Sequence, residues 1–191
     1  MDIALVVFAA SLCSNVVLLV ALYKLCRDKL TGLWVRRLYE YAYSWYRSRA
    51  VLIFLDVDDF KSFNEKYGHR VGDNVLSLVG KVIRRNAGLL GFRFGGDEFA
   101  LIVTQRVGES GEELRLRALT LAHEIHRQIG ESHLNEEVAC ADSPTKTKIV
   151  PLHVTVTLSV ALMEQLARRK RLLCKDGDKN RVIDLTQESL L

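Results

Sequence analysis

Proline is nearly missing: Pro144 and Pro151 are the only two in 191 residues. With no low-complexity tract either, proline-rich linkers and extended polyproline arms are excluded. Cysteine is sparse, at Cys13, Cys26, Cys140 and Cys174, and no C-x-x-C pair occurs. That excludes a zinc ribbon or redox dithiol and leaves reduced intracellular thiols as the plain reading. Charge of one sign is lacking too. The 27 Lys and Arg against 23 Asp and Glu leave a net +4, too mild to argue for nucleic acid, and no such partner is expected. The "HEIH" stretch holding His123 and His126 lacks the H-E-x-x-H spacing of a zinc site. With His133 nearby, these read as helix-surface histidines.

What is present is apolar. Hydrophobic residues make up 49% of the chain, enough to bury the core of one ordinary domain and a small extra piece. Residues 3–23, "IALVVFAASLCSNVVLLVALY", carry no charge. A helix of that length spans a bilayer. Only Met1 and Asp2 precede it, with no basic region, and no small-residue cleavage site follows, so a removed signal peptide fits less well. A buried core helix is the other reading. The far flank is basic, with Lys24, Arg27, Lys29, Arg36 and Arg37. The expectation is a single-pass anchor over 1–25 in the cell membrane, with residues 26–191 cytoplasmic.

Beyond the anchor the chain alternates between strand and helix patterns. Trp34, Leu38, Tyr41 and Trp45 recur at helical spacing, as core or interface residues. "AVLIFLDVDDF" from Ala50 reads as a buried strand running into acid. Val71, Val75, Leu78, Val79, Val82 and Ile83 share a helical face, as do Leu119, Ala122, Ile125 and Ile129. Residues 91–104 predict a hairpin with its tip at Gly95-Gly96. Residues 134–149 are polar without a clear period and predict a loop. "PLHVTVTLSVAL" predicts a strand, 162–175 a basic helix, and "NRVIDL" a last short strand. The fold class is α/β or α+β, a sheet flanked by helices.

Two strand ends carry clustered acids: Asp56, Asp58 and Asp59 in "LDVDDF", and Asp97 and Glu98 in "FRFGGDEF". A strand, a helix and a hairpin place both ends side by side, so Asp56 and Asp97 converge. Converging carboxylates raise each other's pKa unless a cation lies between them. Hard divalent ions take oxygen ligands, and magnesium leaves positions open for phosphate. Solvated acids at strand ends are the plain alternative.

The signature "FRFGGDEF" resembles that of the GGDEF family, the diguanylate cyclases. "DKLTGLWVRR", "FLDVDDFKSFNEKYGHRVGDNVL", "VTVTLSVA" and "KDGDKNRV" resemble its other conserved stretches, so the likeness runs over residues 28–183. The resemblance implies a palm-like domain with a nucleotide-cyclase-type sheet that condenses two GTP into cyclic di-GMP plus pyrophosphate. It implies one GTP per subunit of a homodimer. It implies Mg2+ as cofactor, with Mn2+ the other candidate, held by Asp56, the backbone carbonyl of Val57, Asp97 and Glu98. Asp97 and Glu98 are the implied catalytic pair, their roles not separable by sequence. Asn64 and Asp73 would read guanine, and the backbone at Asp59 and Phe60 with Lys61, Lys175 and Lys179 would meet phosphate. His69, in the shared "KYGHRVGD", reads as structural.

The chain also departs from the family pattern. Val35 replaces an Asn, Arg168 an Asp, Leu172 a Tyr, Ser159 a Gly and Lys179 an Arg. Lysine keeps the charge but loses the bidentate fork. An insertion around 134–149 is expected, and the hairpin before the last helix looks deleted. Asn86 and Leu89 occupy the R-x-x-D positions, so an inhibitory product site is not expected. With no sensor domain ahead of the anchor, control is expected through dimerisation, the membrane or a partner. "RRKR" at 168–171 reads as a solvated face, with anionic lipid the other candidate. An impaired domain acting as a GTP-binding or partner-binding module is the alternative function, and a cyclase with another product a third.

Overall fold

The computed structural model describes residues 3–87, 90–132, 134–140, 143–163 and 179–186. The chain opens with helix α1 (Ile3–Leu25), followed by strand β1 (Trp34–Val35) and helix α2 (Arg36–Tyr46). Strand β2 (Ala50–Val57), helices α3 (Phe60–Tyr67) and α4 (His69–Ala87), and the hairpin of β3 (Gly91–Arg93) and β4 (Glu98–Thr104) come next. Helix α5 (Gly111–Gly130) leads into β5 (Leu134–Cys140), β6 (Ser143–Leu152), β7 (Val156–Leu162) and β8 (Val182–Asp184).

A six-stranded sheet in the order β1-β3-β4-β2-β7-β8 is the backbone of the domain. β2 lies inside it, antiparallel to both β4 and β7. That position explains its unbroken apolar run, because both faces of β2 are covered. Val51, Ile53, Leu55 and Val57 point to one core with Val75, Val79 and Ile83 of α4 and Ala118, Ala122 and Ile125 of α5. Leu52 and Phe54 point to the other, with Phe92, Ile102 and the partly buried Leu38, Tyr39 and Tyr43. Each fully buried Val, Leu, Ile or Phe among them contributes about 1.5–3 kcal/mol. α5 starts at a capping box: Ser110 Oγ accepts from the Glu113 N–H at 3.2 Å, and Glu113 accepts from the Ser110 N–H at 2.7 Å.

Three expectations are corrected. Residues 134–149 are not a loop: β5 and β6 pair as a separate two-stranded antiparallel sheet. The polar stretch lacks an alternating apolar face, so the strand signal was silent there. The inner face of α2 is Leu38, Tyr39, Ala42, Tyr43 and Tyr46, whereas Tyr41 and Trp45 are exposed, which excludes the core and leaves the interface from the two roles expected of them. Two helices, not one, lie between β2 and the hairpin. The basic helix expected over 162–175 falls mostly outside the described residues.

α1 forms where the anchor was expected, and 23 residues rise about 34 Å. Its described apolar side chains, from Val7 and Phe8 to Leu22 and Leu25, are exposed. Among the described residues no helix is long and apolar enough to cross a membrane. The fold therefore shows the helix and not the bilayer span.

Candidate active site

The acids meet at the end of the sheet because of strand register. Asp56 on β2 stands directly opposite Glu98 on β4, and opposite Thr157 on β7 on its other side. The Val57 N–H donates to the Asp97 carbonyl at 3.3 Å. The hairpin tip closes by Phe94 and Gly95 N–H groups donating to the Glu98 carbonyl at 2.8 and 3.1 Å. Glu98 folds back over Gly95, where a Cβ would lie 2.4 Å from its Oε2. A side chain at position 95 would therefore displace the carboxylate.

Burial, then the charges of Asp97, Glu98 and Asp58, push the Asp56 carboxyl up from 3.8 to about 7. A carboxylate raised first by burial and then by three like charges fits a cation among them. All the donors here are hard oxygens, which suit a divalent ion such as magnesium. Among the described residues no three His, Cys, Asp or Glu side chains come together closely enough to hold a metal ion by themselves.

Asp58 does something else. It accepts from Thr157 Oγ1 at 2.7 Å and from the Asn180 N–H at 2.9 Å. It clasps the C-terminal segment to β7, and Lys179 then pairs with Asp59 at 2.5 Å. Lys179 is therefore held beside α3, while Lys175 lies outside the described residues. Asp59 adopts a left-handed conformation, φ 52°, and gives α3 no side-chain cap. The first N–H groups of α3, around Phe60 and Lys61, therefore receive no cap from the Asp59 side chain.

A cleft of about 410 Å³ runs along α3 from Asp97, lined by Phe60, Lys61, Asn64, Glu65 and His69. His69, read as structural, is thus at its wall. The Oδ1 of Asn64 is buried and meets no hydrogen-bond partner. It presses on α4 at Gly72, where a Cβ would lie 1.8 Å from it. Asp73, the next residue, is exposed on α4 and is not part of the cleft lining. The structure brings together Asp56, Val57, Asp97 and Glu98, and separately Phe60, Lys61, Asn64 and Asp97.

Sequence reading missed a support beneath the signature. Arg93 donates to the Gly96 carbonyl from Nε at 3.2 Å and from Nη2 at 2.7 Å. Its Nη1 reaches Asp28 at 3.0 Å. Asp28 also accepts from the Thr31 N–H and hydroxyl at 2.9 and 2.7 Å. Burial alone would raise Asp28, but the Thr31 and Arg93 hydrogen bonds outweigh it and hold its carboxyl below the ordinary range. These residues lie 65 positions apart, and no local pattern links them. His126, read as a surface histidine, meets Asn180 Oδ1 at 3.0 Å. Asn86 spends its amide on Val82 and Gln128, and Leu89 lies outside the described residues.

The family model for "Diguanylate cyclase, GGDEF domain" matches residues 25–180. The chain belongs to the GGDEF family. Among curated GGDEF relatives, the diguanylate cyclase DgcS of Shewanella oneidensis is 37% identical over 115 residues, 55% of this chain and 39% of that protein. The probable diguanylate cyclase DgcI of Escherichia coli is 40% identical over 97 residues, 48% of this chain and 20% of that one. The match thus spans well under half of these relatives. Among solved structures, the GGDEF domain of DgcB from Caulobacter crescentus in complex with c-di-GMP is 25% identical with TM-score 0.59, covering 83% of this chain and 92% of that one. The coiled coil and GGDEF domain of the same protein shares the fold at TM-score 0.63 and 22% identity, covering 95% and 97%.

Proposed function

We propose that this GGDEF chain is a membrane-anchored diguanylate cyclase, each subunit of a homodimer binding one GTP. The observation that carries the reading is the opposed pair Asp56 and Glu98 with Asp97, opening on a cleft that holds a buried, unpartnered Asn64 oxygen. A buried acceptor without a donor is costly, and the N–H edge of guanine supplies donors. Asp73, one residue from Gly72, would take a second guanine donor.

Asp56, the Val57 carbonyl, Asp97 and Glu98 would hold Mg2+, or Mn2+, which when bound neutralises charge on the triphosphate. The N-terminal N–H groups of α3 at Asp59 and Phe60, with Lys61 and Lys175, would receive phosphate oxygens. Lys179 would leave Asp59 to join them. Glu98 would take the proton of the ribose 3′-hydroxyl. In the full cycle each 3′-oxygen forms a bond to the α-phosphorus of the facing GTP. Two α–β anhydride bonds break, and two pyrophosphates leave with the two hydroxyl protons taken up by base or solvent. The residues act by positioning and charge neutralisation.

Anchoring is supported by α1, whose described apolar residues face solvent all round. The basic residues after it favour a cytoplasmic domain, and the helix would pair two copies. One observation favours the second reading, a GTP-binding or partner-binding module: Lys179 is engaged by Asp59 instead of being free for phosphate. Full-length chain in detergent, incubated with GTP and Mg2+, separates them by mass spectrometry of the nucleotides. Cyclic di-GMP that vanishes in Asp97→Ala supports the cyclase. GTP bound without pyrophosphate release leaves the module, and full activity of Asp97→Ala refutes the metal assignment.

A further inference from the structure

Two adjoining cavities flank the end of α1. The first, about 800 Å³, is lined by Lys24, Arg27, Lys29 and Arg84 together with Asp28 and Tyr23. Its one carboxylate, Asp28, is already committed to Thr31 and Arg93. Among the described residues none of the four cations has an ion-pair partner. The Arg27 guanidinium lies over the Trp34 ring, its Cζ 3.7 Å from the centroid, and donates to the Gly32 carbonyl at 2.7 Å. Its Nε is buried and meets no acceptor. Arg84 donates to the Thr31 carbonyl at 2.5 Å, which satisfies a hydrogen bond but not its charge. The negative end of the α1 dipole accounts for Lys24 and Arg27. It does not account for Arg84, which comes from α4.

The second cavity, about 570 Å³, is apolar: Leu19, Val20, Leu22, Trp34 and Leu38 line it, and Tyr23 is shared with the first. A strongly basic pocket that shares the Tyr23 wall with an apolar groove matches an amphiphile with a phosphate head. We propose that the junction between α1 and the domain binds an anionic phospholipid, its phosphate in the basic pocket and an acyl chain in the groove. This rests on the reading that α1 lies in a bilayer. The pocket then sits at the headgroup level of the leaflet that carries anionic lipid.

The test uses the full-length chain. Flotation with neutral phosphatidylcholine vesicles checks the anchor alone. In non-ionic detergent, native mass spectrometry then follows titration with phosphatidylglycerol, phosphatidylcholine and glycerol 3-phosphate. The expected result is retention of phosphatidylglycerol over phosphatidylcholine, with glycerol 3-phosphate binding far more weakly. Lys24→Gln/Lys29→Gln, on two exposed side chains, should weaken phosphatidylglycerol about fivefold per lysine, roughly 25-fold for the pair. Equal binding of the two lipids, unaltered in the variant, would overturn the proposal and leave the groove to the helix of a second copy. Glycerol 3-phosphate binding as tightly as the lipid would also overturn it, as a site for a free phosphate ester. Failure to float, with selective lipid binding retained, would refute the anchor and not the pocket.

Discussion

Replacing Asp56 by Asn should make the metal-free chain more stable at pH 8 and change little at pH 4. Burial and the charges of Asp97, Glu98 and Asp58 raise this carboxyl from 3.8 to about 7. A folded-state pKa above the unfolded value means that folding favours the protonated form. The associated stability is present below about pH 4 and is lost as the pH rises through 7. In full the displacement corresponds to about 4 kcal/mol. Asp56 keeps contact with water, and screening discounts the figure to ~1–2 kcal/mol. For a chain of this size that is about 3–6 °C in Tm. Thermal unfolding of full-length wild type and Asp56→Asn, followed by intrinsic fluorescence in EDTA from pH 4 to 8, measures it. The variant's advantage should grow with pH. Magnesium added at pH 8 should raise the wild type and leave the variant where it was. A variant that is no more stable than wild type at pH 8, or equally favoured at pH 4, would refute the claim that burial and the neighbouring acids hold this carboxyl up.

Asn64→Ala removes the buried acceptor, and the apparent KM for GTP should rise roughly tenfold in steady-state kinetics, with little change in Tm. Gly72→Ala places a methyl group 1.8 Å from Asn64 Oδ1; it should cost about 1–3 kcal/mol in unfolding experiments and weaken GTP. Combining it with Asn64→Ala should restore stability but not binding. Ser110→Ala breaks the capping box of α5 at a cost of about 1 kcal/mol, read as a lower Tm with unchanged turnover.

Much of this molecule was legible in its sequence, for identifiable reasons. β2 is covered on both faces, so its apolar run had no competing interpretation. α4 and α5 face the sheet with one stripe each, and their inner residues were read nearly correctly. α2 failed because aromatic residues occupy so many of its positions that two faces fit equally well. The sheet selected Tyr39, Tyr43 and Tyr46 and left Tyr41 and Trp45 outside. The β5–β6 hairpin failed because pairing between polar strands leaves no apolar alternation. At the site, the meeting of Asp56 with Asp97 and Glu98 followed from strand order. The clasp of Asp58 on Thr157 and Asn180 did not, since it depends on contacts 99 and 122 positions away.

The Asp28–Arg93–Gly96 chain of hydrogen bonds sets a practical limit on where this protein can be cut. None of its bonds belongs to the six-stranded sheet. A chain shortened to begin after Asp28 would keep both cores and every acidic residue of the signature. It would still lose the carboxylate that steers Arg93, and with it the grip on the Gly96 carbonyl. Such a fragment should fold and yet hold its hairpin tip loosely. A fragment of low activity would then report on its own boundary and not on the intact chain.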